Sequence, residues 1–532
     1  MLRDWSWAFN ALPTPWAPVR LPDALDTCAG SYFLFGNLIM LRFDPCRAYA
    51  FGRLPRWRQT VPATVLLVVV LFPALASAAV GLPAVFGKHM VLQRGRPVPV
   101  WGTAAAGESV SVSFAGQAKS TTADKNGRWK ISLDSLQAGG PHTLVVKGSN
   151  EVTIADVLVG EVWLASGQSN MAMTVRRCRD ADTEQAAADF PRIRMFTVRR
   201  NAQLSPQQDF QGTWAVCSPE TVGKFSGAAY FFGRRLHREL KVPVGLVNSS
   251  WGGTAIEAWT SLDVQEKDAR LASIFSRWKD KPTADRNRPA NLYNGMIEPL
   301  VGYGIRGAIW YQGERNSRSP AAAMLYRHQL PLLINDWRKR WGQGAFPFLW
   351  VQLPNFKARR ADPNLPSSWA LIRESMQHAL RQPATGMAVT IDIGEARNIH
   401  PKNKQDVGHR LAQAGLALAY GRSMVGMGPL MRSVTIEDSR VRVQFGHVGR
   451  SLVIRGKGEA VKGFALAGPD RRFHPAEARI EGKTVVTWSK AVTDPIAVRY
   501  AFSDNPEVNL YNAAGIPAAP FRTDEWEIGT GR

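Results

Sequence analysis

From Leu82 to about Val152 the chain runs in short stretches where apolar and polar residues alternate: "VLQRGRPVPVWG", "ESVSVSFAG", "WKISLDSL" and "HTLVVKGSN". Turn-forming residues such as Lys125-Asn126-Gly127 separate them. Alternation with period two, broken by turns, predicts a small β-sandwich-like unit. The middle of the chain reads differently. "DVLVGEVWLAS", "VPVGLVNSSWGG", "IRGAIWYQGE", "FPFLWVQL" and "MAVTIDIG" are apolar nearly throughout. That continuity is what strands need in a parallel sheet covered on both faces. Between them lie stretches of helical periodicity, "SGAAYFFGRRLHREL", "YRHQLPLLINDWRKRW" and "SSWALIRESMQHAL". Strands alternating with helices predict an α/β domain. From about Val434 the alternating pattern returns in "SVTIEDSRVRVQF", "TVVTWS" and "IAVRYAF". The expected organisation is an N-terminal β-rich domain over residues 79–152, an α/β domain over 153–430 and a C-terminal β-rich domain over 431–532.

Residues 52–78 break this pattern. Arg53, Arg56 and Arg58 precede the apolar run "VPATVLLVVVLFPALASA", which closes on Ala76-Ser77-Ala78. A basic start, an apolar core and a small-x-small end predict a signal peptide cleaved near Ala79, and with it a periplasmic or secreted protein. The apolar core is short for a membrane span, which needs about 20 residues, so no stable membrane insertion is expected after cleavage. A signal belongs at the extreme N-terminus, so residues 1–51 read as an extension outside the mature fold, with Met40 as an alternative start.

The formal charge of +23 changes the picture little, because the arginines are scattered. No dense basic block with interleaved aromatics is present, so nucleic acid is not an expected partner. A basic surface suits anionic glycans or a negatively charged envelope equally well. Of the four cysteines, Cys28 and Cys46 precede the predicted cleavage site, leaving Cys178 and Cys217 as a disulfide or as two buried thiols. No cysteine or histidine cluster has zinc-ligand spacing, and no metal or cofactor is expected.

The chemistry lies just beyond the strand ends, where open α/β sheets place their ligands. Gly167-Gln168-Ser169-Asn170, Trp251-Gly252-Gly253-Thr254 and Trp310-Tyr311-Gln312-Gly313-Glu314 each follow an apolar strand, and "NIHPKNKQDVGHRLA" brings His400 after a fourth. A serine, an imidazole to take its proton, and glycine N–H groups with an amide to face an oxyanion are the components of acyl transfer. Arg373 and Gln377, one turn apart on a predicted helix, share a face that would suit a substrate carboxylate or hydroxyl, although a solvated face or a domain contact serves the same pattern.

With "GQSNM", "WGGT", "WYQGE" and "IHPKNKQ" in this order, the chain resembles the sialate O-acetylesterases, a family of SGNH-type serine hydrolases. Its start, "LPAVFGKHMVLQRGRPVPVWG", and its close, "NLYNAAGIPAAPFRTDEW", resemble the family's ends too. The resemblance implies a flavodoxin-like SGNH parallel sheet flanked by helices. It also implies removal of acetyl groups from an acetylated carbohydrate without a cofactor. Ser169 matches the nucleophile, His400 the base, and Gly252 and Gly253 the oxyanion glycines, while Gln312 falls where the wider superfamily uses an asparagine amide. The wider superfamily carries Asp three residues before the histidine; here Arg397 stands there, with Asn398 next to it. Asp392, at the end of the preceding strand, is the leading candidate for the missing acid, with Glu395 and Glu314 behind it and a Ser–His dyad as the alternative. Asn170 and Glu314 are expected to support the site. Other polysaccharide acetylesterases, such as those acting on xylan, and a non-catalytic glycan-binding protein on the same scaffold are the rival readings.

Overall fold

A single 17-residue strand, β1 (Glu151–Gly167), organises the protein. The computed structural model describes residues 79–527 apart from residue 282; the signal peptide expected at 52–78 and the extension before it lie outside the described residues. The first part of β1 pairs with strands of the N-terminal β-rich region, Val91–Gln93 and Gly139–Lys147. Its second part enters a parallel sheet. The boundary expected between residues 152 and 153 therefore falls inside one continuous strand.

The strands that follow are β2 (Phe190–Thr197), β3 (Trp214–Cys217), β4 (Val244–Ser250), β5 (Gly307–Tyr311), β6 (Phe348–Gln352) and β7 (Thr385–Val389). They line up as β7-β6-β5-β1-β4-β2-β3. Every pair is parallel except β2–β3, which is antiparallel. The strands β4, β5, β6 and β7 are buried at every position, which is why they read as unbroken apolar runs. The edge pair β2–β3 was not marked by the sequence pattern: β2 opens half-exposed with Phe190-Pro191-Arg192.

The chain first runs to the β4 side of β1 and then crosses to the β5 side. β1 thus sits at the point where strand order reverses, the place where α/β sheets open a ligand crevice. The predicted helices form as α2 (Gly227–Leu240), α3 (Pro320–Trp341) and α4 (Ser368–His378), with α1 (Ser169–Ala172) before them and α5 (Lys404–Tyr420) after. α2 packs on α5, and α3 on α4. Trp310 is wedged edge-on between Trp259 and Trp337, at centroid distances of 6.2 and 5.9 Å. It is a core residue, whereas Trp251 is half-buried with Arg200 across its face.

The C-terminal region is all β, with two four-stranded antiparallel sheets and a two-stranded ribbon. Cys178 and Cys217 are separate buried thiols, not a disulfide. Among the described residues no helix is long and apolar enough to cross a membrane.

Candidate active site

Register brings the first motifs together. Gly167, the last residue of β1, pairs with Ser250 on one side and Tyr311 on the other. The three loops therefore leave the sheet at one level. Gly167 has φ +135, and a Cβ there would stand 2.2 Å from the Tyr311 carbonyl oxygen; only glycine lets the strand turn that close to its neighbour. Gln168 N–H then donates to the Tyr311 carbonyl, and Trp251 N–H to the Gly167 carbonyl. Ser169 opens α1 immediately afterwards. Gly252 flanks it so closely that a Cβ would lie 3.2 Å from the serine Cβ. The N–H groups of Ser169, Gly252 and Gly253 donate to no protein acceptor among the described residues.

His400 arrives from the loop after β7. Its Nε2 lies 2.8 Å from Ser169 Oγ, although 231 residues separate the two. The loop is knitted to itself. Asn398 accepts from the His400 N–H and donates to both the His400 carbonyl and Glu395, and Glu395 accepts from the Lys402 N–H. Arg397, in the position of the absent superfamily Asp, is exposed. Burial, followed by the charges of Lys404 and Arg177, lowers the His400 pKa below the ordinary imidazole value. The ring is thus neutral and able to accept a proton at neutral pH.

Four expected residues stand elsewhere or are otherwise engaged. Asp392 does not meet His400: Arg410 grips both its oxygens, at 2.6 and 2.7 Å, and the Tyr511 hydroxyl donates to it at 3.1 Å. No carboxylate hydrogen-bonds to His400 among the described residues. Gln312 is fully buried, and its amide N–H₂ donates to the Asn316 and Gln168 side chains and the Thr254 carbonyl. It braces the loops rather than facing the serine; the amide nitrogen beside Ser169 Oγ, at 3.5 Å, is that of Gln168. Arg373 has no solvent exposure and donates to the carbonyls of Leu353, Pro354, Ser503 and Asp504. It clasps the C-terminal region to the α/β domain, and Gln377 beside it has its Oε1 buried without a partner. Neither touches the serine–histidine pair.

Asn170 and Glu314 do join the site: Asn170 Nδ2 donates to Glu314 Oε1 at 2.5 Å. Burial raises the Glu314 pKa, against the opposing pull of Asn170 and Lys404. Lys404, which the motif reading passed over, is completely buried beneath the site. A signal for it existed, since Lys404, Val407 and Leu411 fall on one helical face. Arg286 was missed as well; its Nη2 lies 3.6 Å from where a Cβ on Gly253 would stand. Among the described residues no group of three or more His, Cys, Asp or Glu side chains is placed to hold a metal ion.

A serine hydroxyl on an imidazole, with unpartnered N–H groups beside it, can attack an acyl carbon and stabilise the resulting oxyanion. A family model described as carbohydrate esterase, sialic acid-specific acetylesterase, matches residues 159–417. The sialate O-acetylesterase of Rattus norvegicus is 31% identical, over 86% of this chain and 98% of its own length. That of Homo sapiens is 29% identical, over 87% and 97%. Among solved structures, a carbohydrate acetylesterase from Xanthomonas citri is 42% identical, covers 84% of this chain and 100% of its own, and superposes with a TM-score of 0.78.

Proposed function

The chain belongs to the sialate O-acetylesterase family of carbohydrate esterases and is a carboxylic ester hydrolase; on that premise we propose that it removes O-acetyl groups from sialic acid or a related acidic sugar through a Ser169–His400 dyad. The observation that carries this reading is the 2.8 Å contact between Ser169 Oγ and His400 Nε2 at the strand-order reversal. Ser169 attacks the acetyl carbonyl while His400 takes its proton. The developing oxyanion is met by the N–H groups of Ser169, Gly252 and Gly253, positioned before the reaction begins. His400 returns the proton to the departing sugar oxygen. It then activates a water that releases acetate and restores the serine. The parallel sheet, with its ligand crevice beside β1, supports an SGNH-hydrolase-like fold.

An acidic substrate is supported by the charge around Gly253. Arg286 makes no salt bridge among the described residues and is exposed beside that glycine. Arg315, whose N–H donates to Gln168, has its pKa lowered by burial first and then by the like charges of Arg318 and Arg286, against the opposing pull of Glu257 and Asp285. Guanidinium groups that form no ion pair among the described residues favour an anionic ligand. Replacing Arg286 by alanine is expected to raise KM for an O-acetylated sialic acid about tenfold, the worth of one charge-assisted hydrogen bond of about 1.5 kcal/mol. Hydrolysis of a neutral chromogenic acetate should be unaffected. Steady-state kinetics on both substrates decides it, and equal losses on the two would remove the argument for an acidic sugar. Preference of the wild-type enzyme for acetylated xylan over acetylated sialic acid would select the polysaccharide reading instead.

The same reading makes the protein an exported one, on the strength of the basic-apolar-small pattern of residues 52–78. Protein recovered from the periplasm or medium is expected to begin at or near Ala79. N-terminal sequencing that finds residues 52–78 still attached would refute cleavage.

A further inference from the structure

No acid meets the His400 ring among the described residues, and its orientation has another source. The carbonyls of the residues before and after the histidine are held instead, and its own carbonyl accepts from Asn398. The Ile399 carbonyl accepts from Asn170 Nδ2 at 3.0 Å, and the Pro401 carbonyl accepts from Lys404 Nζ at 2.5 Å. The two donors are themselves linked, since Lys404 Nζ donates to Asn170 Oδ1 at 2.9 Å. Asn170 passes its remaining N–H to Glu314. Asn170 directly follows Ser169, so one buried network spans the serine's helix, the histidine's loop and the loop after β5.

The lysine is a costly residue to place there. Lys404 is the first residue of α5, at the end where the helix dipole disfavours a cation. It is wholly buried, and burying an ammonium costs several kcal/mol unless its donors are satisfied. Burial pushes its pKa down to about 8, so at neutral pH it still carries most of its charge. The Tyr311 ring, 5.6 Å from Nζ, and the partners above offset the cost. A methionine would fill a similar volume without any of this. What it lacks is a donor for the Pro401 carbonyl and a charge near the imidazole.

We propose that Lys404 is a positioning residue for His400: with Asn170 it clamps the two carbonyls that flank the histidine, and so aims the ring at Ser169 from the backbone rather than through Nδ1. The inference rests on the dyad reading of Ser169 and His400. The groups facing the pair are few. Lys404 and Arg177 act on His400, while Glu314, Glu395, Arg177 and the Cys178 thiol act on Lys404. Both cations disfavour imidazolium, so the acid limb of kcat/KM in the wild-type enzyme lies below the ordinary imidazole value, and removing the lysine charge moves it upward.

The test compares Lys404→Met, Lys404→Gln and Ser169→Ala on a chromogenic acetate, with melting curves for each. Lys404→Met, which removes charge and donor, is expected to lower kcat about 10- to 100-fold with KM within a factor of about three, in line with the loss of catalytic alignment. Its acid limb should move to higher pH. Lys404→Gln, which keeps an N–H donor, should lose less in kcat and show the same shift of the limb. A folded Lys404→Met or Lys404→Gln variant with wild-type kcat and an unmoved limb overturns the inference, provided Ser169→Ala is inactive. If Ser169→Ala retains full activity, the dyad reading falls and takes this one with it. Failure of both lysine variants to fold assigns Lys404 to stability and equally overturns the positioning role.

Discussion

Ser169→Ala is expected to lower kcat/KM by roughly four to six orders of magnitude, the range seen when the nucleophile of a serine hydrolase is removed, with a melting temperature close to that of the wild type. The fold has no stake in the hydroxyl. Ser169 Oγ meets only His400 Nε2 and, at 3.5 Å, Gln168. The neighbouring constraints act on the backbone, through Gly167 and the Tyr311 carbonyl, and on the Cβ, through Gly252. Alanine keeps that Cβ. His400→Gln should cost about as much, and the double variant little more than either single one, because residues acting as a unit lose their effect together. Acetate release from an O-acetylated sugar measures the loss, and labelling by a serine-directed fluorophosphonate should vanish with it. Activity of Ser169→Ala within tenfold of wild type would end the proposal.

The second large effect is expected on stability rather than chemistry. Asp392→Ala should cost about 3–5 kcal/mol, the penalty for removing one partner of a buried ion pair, while kcat measured on folded protein stays within about threefold. The side chains of Arg410 and Asp392 are only 5% and 9% exposed. The guanidinium bridges both carboxylate oxygens and also donates to the Val389 carbonyl. The Tyr511 hydroxyl, from the C-terminal region, closes the group. Without the carboxylate, a buried guanidinium is left largely unpaired. Denaturant unfolding gives the stability, and kinetics below the transition gives kcat. A fall in kcat of a thousandfold with stability unchanged would restore Asp392 as the acid behind His400.

These two residues also mark how far the chain could be read without coordinates. Ser169, Gly252 and His400 follow apolar strands, and parallel strands buried on both faces announce themselves by composition, so their convergence at one sheet edge was legible. Asp392 was equally well placed along the chain. Its partner depends on Arg410, 18 residues later on α5, and on Tyr511 from the C-terminal region, and no local pattern records such meetings. For Arg373 the sequence left a substrate contact, a solvated face and a domain contact open, and the structure selects the domain contact. A helical face carrying Arg and Gln looks like a surface, yet this one is covered by the C-terminal region, whose carbonyls the guanidinium holds. Gln312 illustrates the limit of matching by position. It stands in the motif, but its donors point into the loops. The boundary near residue 152 misled because alternation gives way to unbroken apolarity within β1, where the strand passes from a one-sided sheet into a covered one.

That shared strand has a consequence for how such an enzyme could be rebuilt. The spar with Ser169 just beyond its tip is anchored at its root in the N-terminal β-rich region, by pairing with Val91–Gln93 and Gly139–Lys147. The region is therefore not a cassette to be trimmed or exchanged at will: a graft with a new leading module must supply its own strands along that root, in the same register, or leave the blade that carries the chemistry without its hilt.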